Sequence, residues 1–114
     1  MMKKSILFST VIILLGINSI SCQENNFIKN SFKVSGNCEM CKSKIEKAAN
    51  SIEGVKSAKW NMVSQKMTVK YNTDKTTVSL IQESIANVGY DTGTYKAKDE
   101  TYNNLHHCCK YKRD

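Results

Sequence analysis

From residue 31 onward, apolar positions recur at intervals that switch between the two-residue period of a strand and the three-to-four-residue period of a helix. Phe32 and Val34 alternate with polar neighbours as in a short strand, and Ser35-Gly36-Asn37 ends it with residues that suit a turn. Ile45, Ala48, Ala49 and Ile52 follow at helical spacing, with Lys42, Lys44, Glu46 and Lys47 on the other faces. They predict an amphipathic helix from Cys41 to about Ser51, closed by Glu53-Gly54. Ala58, Trp60 and Met62 then alternate, and Met67, Val69 and Tyr71 do the same after a turn around Ser64-Gln65. This is a hairpin that places both Met62 and Met67 in the core. Thr76 stands where it can cap a second helix with the stripe Val78, Ile81, Ile85 and Val88, and Gly89 stops it. Tyr90 to Lys96 reads as a weak strand from its Thr and Tyr content. The order βαββαβ predicts an α+β, ferredoxin-like fold: a four-stranded antiparallel sheet with both helices on one face.

Before residue 31 the pattern is of another kind. Met1-Met2-Lys3-Lys4 precedes an apolar run from Ile6 to Ile17, broken only by Ser9, Thr10 and Gly16, and Asn18-Ser19-Ile20-Ser21-Cys22 follows. Positive residues, a short apolar stretch and then small residues are the order of a secretion signal, and the run is too short to span roughly 30 Å of hydrocarbon. Residues 1–21 therefore read as a signal peptide that sends the chain to the periplasmic side of a bacterial membrane. Cys22 directly after them fits a lipoprotein signal, in which that cysteine is lipidated, although Ser19-Ile20-Ser21 equally suits an ordinary signal peptidase. Residues 22–30 are polar and read as a tether. Residues 97–114, polar apart from Tyr102, Leu105 and a cysteine pair, are expected to lie outside the fold as a tail.

Composition narrows the function. A chain of 114 residues that is 40% apolar and 24% charged can build one modest core, which excludes a multi-domain enzyme and an intrinsically disordered protein. The net charge of +7 comes from scattered Lys and a single Arg with no aromatic residues interleaved, so it speaks for solubility and against a nucleic-acid partner. Paired carboxylates placed by motif, a Ser-His-Asp order and a phosphate loop are all missing from the sequence. The chain reads as a binding or carrier protein, not an enzyme.

Its candidate chemistry lies in Cys38-Glu39-Met40-Cys41, where the first strand hands over to the first helix. Two thiols at this spacing can converge on one small object, and Cys41 at a helix start meets unpaired N–H groups that favour the thiolate. A lone CxxC serves metal binding, dithiol redox chemistry and structural disulfides alike. Thioredoxin-like proteins set a cis-Pro against the motif, and this chain has no Pro, which weakens the redox reading. A structural zinc site would want further ligands, and the candidates are the distant His106, His107, Cys108 and Cys109. A disulfide within the motif closes too short a loop to add much order.

Over residues 32–95, the folded stretch 31–96 resembles a heavy-metal-associated domain, the fold of periplasmic mercury-binding proteins, copper chaperones and the N-terminal modules of metal-pumping ATPases. Carrying the resemblance are Val34 to Cys41, Ile45-Glu46-Lys47-Ala48, Glu53-Gly54-Val55, Val69-Lys70-Tyr71-Asn72 and Ile85 to Tyr90. It implies that Cys38 and Cys41 bind a soft cation and that Tyr90 stands behind them. Met40, between the cysteines, either points inward to add a weak thioether contact or lies exposed as a spacer. The loop departs from the family pattern: Gly36-Asn37-Cys38 is one residue shorter and lacks the Met that packs beneath it. Two thiolates favour Cu(I), Hg(II) or Cd(II) over hard ions, with Cu(I) the first choice and Zn also open. The partners implied are the metal ion, a metal-transporting or metal-accepting protein, and a membrane reached through lipidated Cys22. The alternative is an extracytoplasmic dithiol/disulfide redox protein using the same cysteines. His106, His107, Cys108 and Cys109 form a possible secondary site. Adjacent cysteines alone chelate one ion poorly, so help is expected from either His, or from Cys38 and Cys41 if the tail folds back. A tail disulfide is the competing reading.

Overall fold

The computed structural model describes residues 26–113. Residues 1–21, read as a signal peptide, and Cys22 lie outside the described residues. Strand β1, Phe27–Lys33, leads to helix α1, Glu39–Asn50, followed by β2, Val55–Asn61, β3, Lys66–Asn72, and helix α2, Val78–Asn87. A short helix α3, Asp99–Asn103, and a 3-10 turn at His107–Cys109 complete the chain.

The strands form an antiparallel sheet in the order β1-β3-β2. Ala58 and Trp60 of β2 and Met67, Val69 and Tyr71 of β3 turn toward the helices. There they meet Cys41, Ile45, Ala48 and Ala49 of α1 and Ile81 and Ile85 of α2. The alternation that marks each strand and the three-to-four spacing that marks each helix thus bury one continuous core. Glu46 ties the layers together, because its carboxylate accepts from the Trp60 N–H at 2.8 Å and pairs with Lys42 at 2.6 Å. Helix α2 is capped by Thr77, whose hydroxyl accepts from Leu80 N at 3.2 Å, one residue later than the expected Thr76.

The fourth strand is reduced to one antiparallel bridge, Val34 to Thr92, beside β1. It goes no further because the chain turns back at once: Thr92 N donates to Tyr95 O at 2.8 Å, and its hydroxyl accepts from Tyr95 N at 2.8 Å. With that bridge the sheet keeps its ferredoxin-like order, the two helices on one face. Met62, expected in the core, sits in the hairpin turn, 36% exposed, and Val88 is likewise exposed. Asn61 Oδ1 accepts from Val63 N at 2.9 Å and Ser64 N at 2.8 Å, which ends the strand before Met62 can point inward.

Both flanks correct the sequence reading. Phe27–Asn30, read as tether, pair with Val69–Asn72 of β3, since strand pairing uses backbone groups and asks for no apolar run. The tail, expected outside the fold, packs into it: Leu105, Cys109 and Tyr111 belong to the core. Tyr111, 3% exposed, accepts from Asp91 N and donates to Gly89 O, both at 2.8 Å, and its ring stacks on Tyr90. Leu105 covers Gly89, whose φ of +114° and lack of a side chain admit it; a Cβ there would stand 2.8 Å from Leu105 Cδ2.

Candidate metal centre

The loop between β1 and α1 is held from beneath and from the side. Trp60 fills the space under it, donating from Nε1 to Val34 O at 2.9 Å. Its ring lies so close to Gly36 that a Cβ there would meet it at 2.8 Å. The hairpin turn reaches over as well: Gln65 O accepts from Val34 N at 2.9 Å and Gln65 Oε1 from Gly36 N at 3.0 Å. Gln65 does this from a left-handed backbone, φ 62°. The sequence marked Gln65 and Asn37 only as turn residues, since single amides carry no periodicity that would reveal what they hold.

This frame sets Cys38 as the N-cap of α1 and Cys41 one turn inside it, their Sγ atoms 3.8 Å apart. Cys38 is half-buried and Cys41 fully buried against the core. The Cys38 sulfur makes no cap hydrogen bond of ordinary geometry, yet the Cys41 backbone N–H facing it is the strongest influence on the thiol. Together with the Met40 N–H it brings Cys38 down to about 7 against the opposing effect of desolvation. Burial pushes Cys41 up to about 11. The helix-start thiolate expected at Cys41 therefore falls to Cys38, because the N-cap faces the free N–H groups while the next turn faces the core.

The tail arrives directly above. Asn37 Nδ2 donates to Cys108 O at 3.0 Å, and Cys38 Sγ stands 3.4 Å from the same oxygen and 3.8 Å from Cys108 Sγ. Cys41 Sγ lies 3.8 Å from Cys109 O. The sulfurs of Cys38, Cys108 and Cys109 all fall within 4.8 Å of one another. The Cys108 thiol is raised, first by desolvation and then by the Cys38 sulfur beside it. Met40 is 43% exposed, with its thioether 3.9 Å from Cys108 Sγ. His106 and His107 are exposed and lie beside each other, ring centroids 4.7 Å apart and planes tilted by 30°, outside this group of sulfurs. Tyr90 lies behind the loop, fully buried. Among the described residues its hydroxyl has no hydrogen-bond partner of ordinary geometry, and burial, then the Cys109 and Cys41 thiols, hold its proton far above the usual range.

Clustered thiols at one edge of the fold are a donor set for soft ions, with little to offer Mg or Ca. The family model for the heavy-metal-associated domain matches residues 31–91. The chain belongs to this family.

Among its relatives, the copper chaperone CopZ of Staphylococcus aureus strain bovine RF122 / ET3-1 is 41% identical over 54 residues, 47% of this chain and 79% of the chaperone. Among solved structures, the CopZ metallochaperone superposes with a TM-score of 0.56 at 36% identity, over 57% of this chain and 98% of that one. The Cu(I)-loaded N-terminal domain of a potential copper-translocating P-type ATPase from Bacillus subtilis gives a TM-score of 0.55 at 35% identity, over 62% and 90%. The CxxC loop lies within the heavy-metal-associated domain, whereas Cys108 and Cys109 follow its matched span.

Proposed function

We propose that this domain carries a soft metal ion, Cu(I) foremost, through Cys38 and Cys41. It does so on the periplasmic side of a bacterial membrane, held there by lipid on Cys22, and hands the ion to a metal-transporting or metal-accepting protein. The observation that carries this reading is the pair of sulfurs 3.8 Å apart at the head of α1, one reachable and one buried. The reachable thiol, near 7, is ready to bind or to be displaced, and the buried one fixes the ion to the fold. Similarity to a copper chaperone and to an ATPase domain solved with Cu(I) supports copper as the cargo and a transporter as the acceptor.

Replacing both residues, Cys38→Ser with Cys41→Ser, is expected to weaken Cu(I) binding by at least about a hundredfold while leaving the far-ultraviolet circular dichroism intact. Anaerobic titration of the reduced chain against a Cu(I) chelator measures this, with Zn(II) and Hg(II) titrated in parallel to rank the cargo. Equal affinity in parent and variant would reject the site. For the anchor, mass spectrometry of the native protein from membranes is expected to find a lipid-modified Cys22 at the N-terminus, since acyl chains contribute about 0.8 kcal/mol per buried CH₂. A free Cys22 on soluble protein would reject it.

A further inference from the structure

Two thiols suffice for a transfer site, yet the fold delivers two more. Cys108 and Cys109 come from a segment beyond the family's span, and that segment is fastened to the domain on every side of them. Tyr111 is bonded to Gly89 and Asp91, and Arg113 reaches Asp91 with two bonds of 3.0 and 2.8 Å and Ala97 O at 2.6 Å. Leu105 is buried on Gly89, and Asn37 holds the Cys108 carbonyl. Between these anchors the turn lies over Cys38.

Sulfur spacing distinguishes the coordination these thiols suit. With metal–sulfur bonds of about 2.3 Å, two sulfurs stand about 4.6 Å apart when the bonds are collinear, about 4.0 Å in a planar trigonal arrangement and about 3.8 Å in a tetrahedral one. Cys38 Sγ is 3.8 Å from Cys108 Sγ and 3.8 Å from Cys41 Sγ. Both spacings lie closer to the trigonal and tetrahedral values than to the collinear one. Cys38, Cys108 and Cys109 lie together within 4.8 Å, so each can reach a common centre with small side-chain rotations.

We propose that Cys108 and Cys109 join Cys38 as a three-thiolate centre for one soft ion, and that the C-terminal tail thereby acts as a clamp that retains it. The inference rests on the metal-carrying reading and gives that site a closed form, in which the tail thiolates take over from Cys41 beside Cys38, so that without them the ion falls back on Cys38 and Cys41. On binding, each ligating thiol gives its proton to water as its sulfur–metal bond forms, and no electrons are exchanged. Handover to another protein requires an incoming thiolate to add before an outgoing one leaves. A tail thiolate already tethered at the site occupies that place at high effective concentration, so the ion departs only when the tail is displaced.

The test uses the full reduced chain carrying Cys22→Ser, loaded anaerobically with one equivalent of Cu(I). X-ray absorption is expected to count three sulfurs per copper. In Cys108→Ser with Cys109→Ser on the same background, the count falls to two, and copper is lost to a competing chelator at least about tenfold faster. Near-ultraviolet circular dichroism of the tyrosines around Tyr111 verifies that the tail stays docked in the variant, and the count in the parent needs no variant. Two sulfurs per copper in both chains, with equal rates of loss, would overturn the clamp and leave the two-cysteine carrier standing. Failure of the parent to bind copper at all would overturn both.

Discussion

Cys38 and Cys41 belong to one motif, yet their surroundings drive the two thiols in opposite directions. Cys38 faces backbone N–H groups and is brought down to about 7, whereas Cys41 is sealed in the core and raised to about 11. A lowered value means that the thiolate is populated once pH exceeds about 7, and alkylation follows thiolate together with access. In the reduced metal-free protein, iodoacetamide is therefore expected to modify Cys38 before Cys41. Its rate should climb through pH 7 and flatten above about 8, while Cys41 lags throughout. Peptide mass spectrometry after timed quenching reads both sites. Earlier modification of Cys41, or a Cys38 rate still climbing at pH 9, would contradict this division. The motif made the pair visible in the sequence; which member faces solvent depended on where the helix begins, and Glu39 as the first helical residue puts Cys38 at the cap.

At the scale of elements, what could be read in the chain was what repeats. Ile45, Ala48 and Ala49, or Ile81 and Ile85, announce a buried helical face by their spacing, and Trp60, Met67 and Val69 a buried strand face. The first part of β1 carries no such alternation, because Phe27–Asn30 are fixed by pairing with β3. The fourth strand promised by Thr and Tyr content stops at one bridge, where the Thr92 hydroxyl diverts the backbone into a turn. The β1–α1 junction shows how an element fixes the site. The shortened loop has no Met of its own beneath it, and Trp60 from β2 occupies that space against Gly36. Gly36→Ala would push a methyl group into the indole, where the nearest ring atoms stand 2.8 Å from its Cβ. The substitution is expected to cost about 1–3 kcal/mol of stability, as overpacking does. It should also weaken Cu(I) binding, since Cys38 follows two residues later. Urea melts together with chelator competition measure the two effects; an unchanged midpoint would show that the indole yields freely.

At the scale of the whole molecule, the tail unites centre and core, and its sequence concealed this because its anchors stand alone. Leu105, Cys109 and Tyr111 are separate buried residues in a polar stretch, with no period to betray them. The chain's single Arg then acts as the fastening: Arg113, 18% exposed, meets Asp91, 8% exposed, as well as Asp99 at 2.9 Å, and lies over the Tyr102 ring. Burial alone would raise the Asp91 carboxyl, but bonds from Arg113 and the Ala97 N–H outweigh it and hold the group below its usual value. A carboxylate lowered by folding contributes stability above its unfolded value of about 3.9, and that contribution disappears as pH falls through the lowered folded value. Arg113→Met removes the partner while keeping an apolar stem. The variant should lose about 1–3 kcal/mol near neutral pH, the usual cost of breaking charged hydrogen bonds at a mostly buried site. The gap between parent and variant should be widest near pH 7 and narrow toward about pH 3, because Asp91 of the variant, buried without the guanidinium, takes up a proton while the parent's, held lower, stays charged. Urea midpoints across that range test the sign: a gap that widens in acid would mean that Asp91 does not hold the tail through its charge.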